Sequence, residues 1–366
     1  MAFTNFAALT SEQKKVWSRD LWKYARNNSF INKFAGSGSN AMVQRISELT
    51  KTERGDQAVI TLLTDLEGDG TVGDNTLEGN EEQIKAYDKV IRIDQIRHAN
   101  RTTGRMADQK TIVNFRENSR DALAYWLSDR MDQMAFLTMS GVGFNYTTSG
   151  VARSGSSLAS LEFASDVSAP TANRHFQWDA TNGLSTGDVT AVGAADTPSY
   201  AMLVEMKAKA KDKFIRGIRA GGGEEVFHVF MSPQGMAKLK LDSDYLANVR
   251  NAGVRGSKNE LFAGSTSVLV DGMWIHEYSH VLTPAASADT GEGAWGVKGQ
   301  RVLMCGAQAL AMADLGKPSW DEKDFDYNNQ KGISTSKIMG MLKPKFHSII
   351  DSGVEDFGLI AVDTAI

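Results

Sequence analysis

The chain has 366 residues, 42% hydrophobic and 23% charged, an ordinary balance for a folded protein and a length sufficient for more than one core. Its 40 basic and 44 acidic side chains leave a formal net charge of -4, too slight for a general attraction to nucleic acid or to an anionic membrane surface. Cys305 is the only cysteine, which excludes an intrachain disulfide and a cysteine-built metal cluster and fits a reducing cytoplasm.

Residues 1–35 read as a short helical arm in which Trp17, Leu21, Trp22 and Tyr24 interleave with Lys14, Lys15, Arg19, Lys23 and Arg26. Such a mixture suits a partner subunit or a nucleic acid, and Trp17 and Trp22 are its candidate intersubunit contacts. The arm has no apolar core followed by a small-residue cleavage site, and no run approaches the roughly 18 apolar residues of a membrane span. Neither secretion nor membrane insertion is expected. Gly36-Ser37-Gly38-Ser39-Asn40 reads as a flexible joint, followed by a short amphipathic piece over 41–50.

Two segments of strand character, 57–63 and 84–97, then frame a long hairpin. Its tip carries Asp65, Glu67, Asp69, Asp74, Glu78, Glu81 and Glu82 with no lysine or arginine among them. A glycine-rich acidic segment cannot bury a core of its own, so it is expected to project and to be ordered by a partner. These carboxylates are the second set of candidate intersubunit contacts.

Residues 111–139 hold the longest helical pattern, uninterrupted by proline or glycine. Apolar residues recur at three- and four-residue steps, and Phe115, Leu123, Trp126, Leu127 and Met134 mark the face expected to be its core. Arg116, Glu117, Arg120, Asp121, Asp129 and Asp132 lie mostly off that stripe. Ser140-Gly141 supplies a left-handed stop. At 1.5 Å per residue such a helix is on the order of 40 Å long, a beam rather than a typical globular helix.

Residues 141–196 read as an irregular insertion with Phe176 and Trp178 as anchors. Thr197-Pro198 opens a second helix ending at Gly221-Gly222-Gly223. Its basic face holds Lys207, Lys211 and Arg219, candidates for weak contact with DNA, although a solvated face is the commoner meaning of such a pattern. Beyond residue 225 come a strand at 226–231, a helix opening at Ser232-Pro233, another at 244–251, and a hairpin turning at Asp271-Gly272. A loop over 283–296 leads to a strand at 301–304, a helix at 307–314, and strand-like segments at 333–341 and 354–362. The class is α+β with local hairpins.

Several strings resemble chemical motifs. His276-Glu277-Tyr278-Ser279-His280 matches the zinc-protease pattern, making a zinc-dependent hydrolase built on His276, Glu277 and His280 the alternative function. Yet the string lies in the second arm of a hairpin, where residues four apart are separated by roughly 13 Å and cannot share one ion. Gly68-Asp69-Gly70-Thr71-Val72-Gly73 has the dinucleotide spacing, but no helix opens after it and carboxylates surround it. Read from Asp65 as a calcium loop, the same stretch has Thr76 where a bidentate glutamate is needed. Gly183-Leu184-Ser185-Thr186-Gly187 has the spacing of a nucleophile elbow without an evident strand before or helix after it. His98, His175, His228 and His347 have no second ligand at metal spacing.

The order of parts, and strings such as GDNTLEGNEE at 73–82, IDQIRHANR at 93–101, FRENSRDALAYWLSDRMDQ at 115–133, NRHF at 173–176 and DFGLIAVD at 356–363, carry a resemblance. The chain resembles the major capsid proteins of tailed phages, the Johnson fold of the Hong Kong phage type, and among them the coliphage N-four-like group. That resemblance implies an N-terminal arm over 1–50, an extended loop over 51–105, a peripheral domain with a spine helix over 106–224, an axial domain over 225–330 and return strands over 331–366. The inserted loop 141–196 falls within the peripheral domain. It implies no enzyme and no cofactor, but a virion protein assembled in the host cytoplasm into hexamers and pentamers of an icosahedral shell around double-stranded DNA. Scaffolding, portal and cement proteins are the further partners such shells use. Some shells of this fold are stitched by a lysine of the extended loop, and here no lysine lies between Thr52 and Ile84.

Overall fold

The computed structural model describes residues 20, 21, 23, 25, 28–46, 57–63, 68–82, 86–110, 115–219, 223–252, 267–348, 350, 351 and 353–366. Helical positions between 20 and 28 lead to a 3₁₀ turn at Ile31–Phe34 and the strands β1 (Ala35–Gly36) and β2 (Val43–Ile46). The hairpin β3 (Gln57–Leu63) and β4 (Ala86–Arg92) follows, then β5 (Asp94–Arg101), helix α1 (Arg105–Lys110) and the long helix α2 (Phe115–Ser140). Next come β6 (His175–Asp179), β7 (Gly183–Thr186), α3 (Tyr200–Asp212), β8 (Ile218–Arg219), β9 (Glu225–Met231), α4 (Pro233–Leu241) and α5 (Ser243–Ala252). The remainder is built from β10 (Ser267–Val270), β11 (Met273–Glu277), β12 (Gly299–Cys305), β13 (Leu310–Asp314), β14 (Ser319–Phe325), β15 (Gln330–Leu342), β16 (Lys345–Ser348), β17 (Gly353–Asp356) and β18 (Leu359–Ala365).

These strands form two principal mixed sheets. One has the order β1-β2-β13-β15-β14 with β5 added on β15; the other runs β10-β11-β9-β12-β18-β6-β7 with β8 on β9. Every residue of β12 and β18 is buried, so their apolar runs are those of central strands covered on both faces. Among the described residues no helix is long and apolar enough to cross a membrane.

Helix α2 joins the sheets. Its first half lies against the six-stranded sheet, where Trp126 stacks on His98, Asn100 donates to Ser119 and Arg116 pairs with Glu322 at 2.7 Å. From Met134 to Ser140 every residue is buried, and Phe136 meets Phe230 of β9 edge-on. A helix with one apolar stripe at its start and apolar surroundings on all sides at its end is passing from surface to centre. It stops at Gly141, φ 75°, where Val142 N–H bonds the Leu137 carbonyl and Gly141 N–H that of Thr138.

Several expectations change. The joint at 36–40 is pinned, because Asn40 exchanges two hydrogen bonds with the Arg219 backbone, and the piece after it is strand β2. The second hairpin arm splits: β4 pairs with β3, whereas β5 crosses to β15. The insertion contains β6 and β7, with β6 pairing in parallel with β18. Ser199, not Thr197, caps α3, its hydroxyl accepting from Met202 N–H, and that helix ends at Asp212, well before the triple glycine. The segment 307–314 is not a helix; its alanine-rich sequence becomes β13, whose neighbours β2 and β15 supply the hydrogen bonds. Residues 111–114 lie outside the described residues.

A Cβ added at Gly141 would stand 2.6 Å from the Ser168 carbonyl oxygen and 2.7 Å from Ala169 Cα. Gly141→Ala combines left-handed strain with backbone overlap and is expected to lower unfolding stability by roughly 2 to 4 kcal/mol. Urea denaturation of the isolated subunit measures it.

Candidate assembly interface

The two segments expected to meet other subunits are the amino-terminal segment and the β3–β4 hairpin. A single carboxylate fastens the arm. Asp132, 1% exposed at mid-helix in α2, accepts from Ser29 Oγ (2.7 Å), Phe30 N–H (2.8 Å) and Ile31 N–H (3.2 Å), and from the Tyr278 hydroxyl (2.6 Å) beyond β11. One side chain thus ties arm, long helix and eight-stranded sheet. Burial and the Asp132 charge push the Tyr278 phenol upward, so it stays a donor. Leu21 and Ala25 are buried in the same core; Trp17 and Trp22 lie outside the described residues.

Phe30 and Phe34 roof a second contact. Beneath them His228 Nδ1 of β9 lies 3.0 Å from His276 Nε2 of β11, and Phe34 meets both imidazoles edge-on. Burial lowers the pKa of His228 to about 4. For His276 burial comes first, followed by the charges of His228 and Lys33, again to about 4. The pair is neutral at pH 7, one ring donating to the other.

The hairpin is anchored at its base and free beyond it. Ile60 and Ile91 are buried with Ala311, Ala313, Leu342 and Phe346, while the cross-strand pair Val59 and Val90 faces outward at 52% and 40% exposure. Within residues 68–82, Gly68 N–H donates to Glu82, Gly79 N–H to Glu81, and Asn80 N–H to the Leu77 carbonyl. Asp69, Asp74 and Glu78 are exposed and have no ion-pair partner among the described residues; Asp65 and Glu67 lie outside them. Val72 and Leu77 are exposed beside them.

A buried ionic cluster holds the centre. Arg301 of β12, fully buried, donates to both oxygens of Asp363 in β18 (2.8 and 3.0 Å) and to the Ser140 carbonyl at the end of α2 (2.7 Å), and pairs with Glu292 at 2.5 Å. His175 Nε2 lies 2.6 Å from Asp363. Burial alone would raise the Asp363 carboxyl; Arg301 and His175 outweigh it and hold it below the usual carboxylate range.

The remaining sequence candidates separate by environment. Leu123, Leu127 and Met134 are buried, and Phe115 and Trp126 pack partly buried at the edge of the same core. Lys207 pairs with Asp271 and Lys211 with Glu225, so two of the three proposed DNA-facing charges are neutralised within the chain; Arg219 is exposed. The zinc-protease string does not assemble: His276 faces His228, Glu277 pairs with Lys240, and His280 pairs with Asp129. Among the described residues no three metal-ligating side chains converge. Ser185 lies on β7 with no helix behind it. Asp132 and Arg301 escaped sequence reading; the signal was a lone charge inside an otherwise apolar stretch, MDQMAFLTM and QRVLMC.

A profile of the phage capsid protein family matches residues 5–366. The chain belongs to that family. It is 55% identical over 373 aligned residues to the major capsid protein of Pseudomonas phage KPP25, covering 99% of this chain and 98% of that one. The solved capsid of Ralstonia phage GP4 is similar at 24% identity and TM-score 0.73 over 92% of this chain and 90% of that one. The capsid asymmetric unit of cyanophage Pam1 is similar at 18% identity and TM-score 0.71 over 100% and 96%. The fold is therefore that of tailed-phage capsid subunits, as the quoted strings implied.

Two measurements probe how this capsid-family chain holds its arm. Asp132→Ala strands four donors and is expected to cost roughly 3 to 5 kcal/mol, with Asp132→Asn recovering part, by urea titration. The histidine pair sets a pH dependence. Its folded values near 4 lie below the unfolded value near 6.5, so between those limits the unfolded chain binds more protons and stability falls as pH falls. After allowance for solvent screening, roughly 2 kcal/mol should be lost between pH 7 and pH 5, and the loss should shrink in His276→Gln.

Proposed function

We infer that this chain is the major capsid protein of a phage head, a structural subunit whose work is association with copies of itself. The observation that carries the inference is the β3–β4 hairpin, with its outward valine pair and with Asp69, Asp74 and Glu78 exposed and without an ion-pair partner among the described residues. The family match and the 55% identical major capsid protein support it. In this reading residues 1–50 are the arm, 51–105 the extended loop, 106–224 the peripheral domain with α2 as spine, 225–330 the axial domain and 331–366 the returning strands. Hexamers and pentamers of an icosahedral shell then follow from one plate-like subunit that reaches over its neighbours.

The packaged molecule would be double-stranded DNA, met by weak and non-specific contacts, since Lys207 and Lys211 are already paired. Scaffolding, portal and cement proteins are the expected further partners, and assembly in the host cytoplasm fits the single buried cysteine. Membership of the coliphage N-four-like group rests on the five strings quoted from the sequence. No metal or catalytic step enters.

Deleting residues 68–79 removes the tip and leaves every buried contact of the hairpin base. The shortened subunit is expected to keep the wild-type melting temperature and circular dichroism yet to yield no shells by negative-stain microscopy, where the full chain yields them. Normal shells from the deletion would refute the hairpin's role.

A further inference from the structure

Helix α3 ends on an unfavourable residue. Phe214 has φ 51°, in the left-handed region, and its N–H bonds the Lys211 carbonyl while Ile215 N–H bonds that of Ala210. Those two bonds form the helix stop that glycine ordinarily makes, and a phenylalanine there is strained. The fold gains nothing from the ring, which is 81% exposed. Strain and exposure borne together by one aromatic residue mark a position held for something outside the subunit.

The corner is rigidly mounted. Lys213 reaches Asp351, which Arg174 also binds at 2.8 Å, and both Arg174 and Asp351 have side chains only 4% exposed. This cluster brings the end of α3 against the turn between β16 and β17, where Ile350 and Val354 are 47% and 59% exposed. Lys209 and Arg216 flank Phe214 in sequence and have no ion-pair partner among the described residues. Phe214 thus follows one member of the Lys213–Asp351 pair and Ile350 precedes the other, which sets exposed apolar residues and basic ones at the same corner. The hairpin tip has the opposite character: Val72 and Leu77 are exposed, and Asp69, Asp74 and Glu78 near them have no ion-pair partner among the described residues.

We propose that Phe214, Ile350 and Val354 form the seat for the acidic hairpin tip of a second copy of this chain. Leu77 and Val72 pack on the ring and the tip carboxylates face Lys209 and Arg216. The contact is heterologous, tip on seat, so each subunit offers one of each and the contact can propagate around a ring. It rests on the reading of the chain as a shell subunit and specifies which surfaces meet.

Phe214→Gly separates folding from association, because glycine relieves the left-handed strain. Its isolated subunit should melt about 2 °C higher than wild type, while the concentration needed to form shells rises at least tenfold; Leu77→Ser should raise that concentration similarly. In assembled particles Leu77→Cys combined with Val354→Cys should give disulfide-linked oligomers on mild oxidation, since Cys305 is buried. Wild-type assembly by Phe214→Gly, or the absence of cross-links in particles that do form, overturns the seat and leaves the shell function standing. Failure of the wild-type chain to form any particle overturns both.

Discussion

The structure depends on how the carbonyl end of a long helix can be buried. The glycine stop satisfies the Leu137 and Thr138 carbonyls of α2, but the Ser140 carbonyl and the negative end of the helix dipole remain inside a dry core, a combination that destabilises unless a cation meets it. Arg301 meets it at Ser140, and Asp363 neutralises Arg301 in turn. Desolvating a guanidinium and a carboxylate is costly, so such a pair contributes little beyond an apolar replacement. What it adds here is geometry: β12, β18 and α2 are fixed at one point. Removing Asp363 would leave Arg301 with Glu292 as its one carboxylate, and removing Arg301 would leave the buried Asp363 with His175 alone.

A second carboxylate performs the corresponding task halfway along the same helix. Asp132 receives the arm through the backbone N–H groups that open the turn at Ile31, and receives the sheet through Tyr278. Two buried polar clusters thus meet on α2, which ties the six-stranded sheet, the eight-stranded sheet and the amino-terminal segment together. A protrusion can bear load only if its base is immobile. The hairpin meets that condition through Ile60 and Ile91, and through Gly340, whose missing side chain lets β15 pass against the Arg92 carbonyl.

What the sequence made legible were features whose cause is local. The α2 stripe, the glycine stop, the Asp271-Gly272 turn with both residues at positive φ, and the Ser232 cap on α4 follow from periodicity and turn chemistry within a few residues. Features decided by distant partners were not. The 307–314 segment has helix-forming alanines but becomes strand because β2 and β15 lie on either side of it. Strand β14, SWDEKDF, has too many charges to read as a strand and is one because it is an edge. The exposure of the acidic tip was legible in its composition, while the Phe214 corner was hidden inside an apparently ordinary helix face, because backbone strain leaves no compositional trace. The zinc-protease string shows the converse: matching residues on a strand point apart, and each imidazole finds a different neighbour.

The handling of sheet edges limits unplanned pairing between copies. An open strand edge offers hydrogen bonds to any chain, and a subunit made in many copies must restrict that offer. Strand β14 exposes Asp321, Lys323 and Asp324 along its edge, while β1, β7 and β10, at the other sheet ends, have only two to four residues each. Those edges are too charged or too short to template a neighbour, and β5, eight residues long and paired only with β15 among the described residues, carries Asp94, Arg97 and Arg101. The β3–β4 pair differs, with seven residues in each strand, no other strand beside it among the described residues, and an apolar pair facing out. Charged or short strands at the sheet edges, beside a long β3–β4 pair with an apolar outer face, favour ordered contacts over indiscriminate strand pairing.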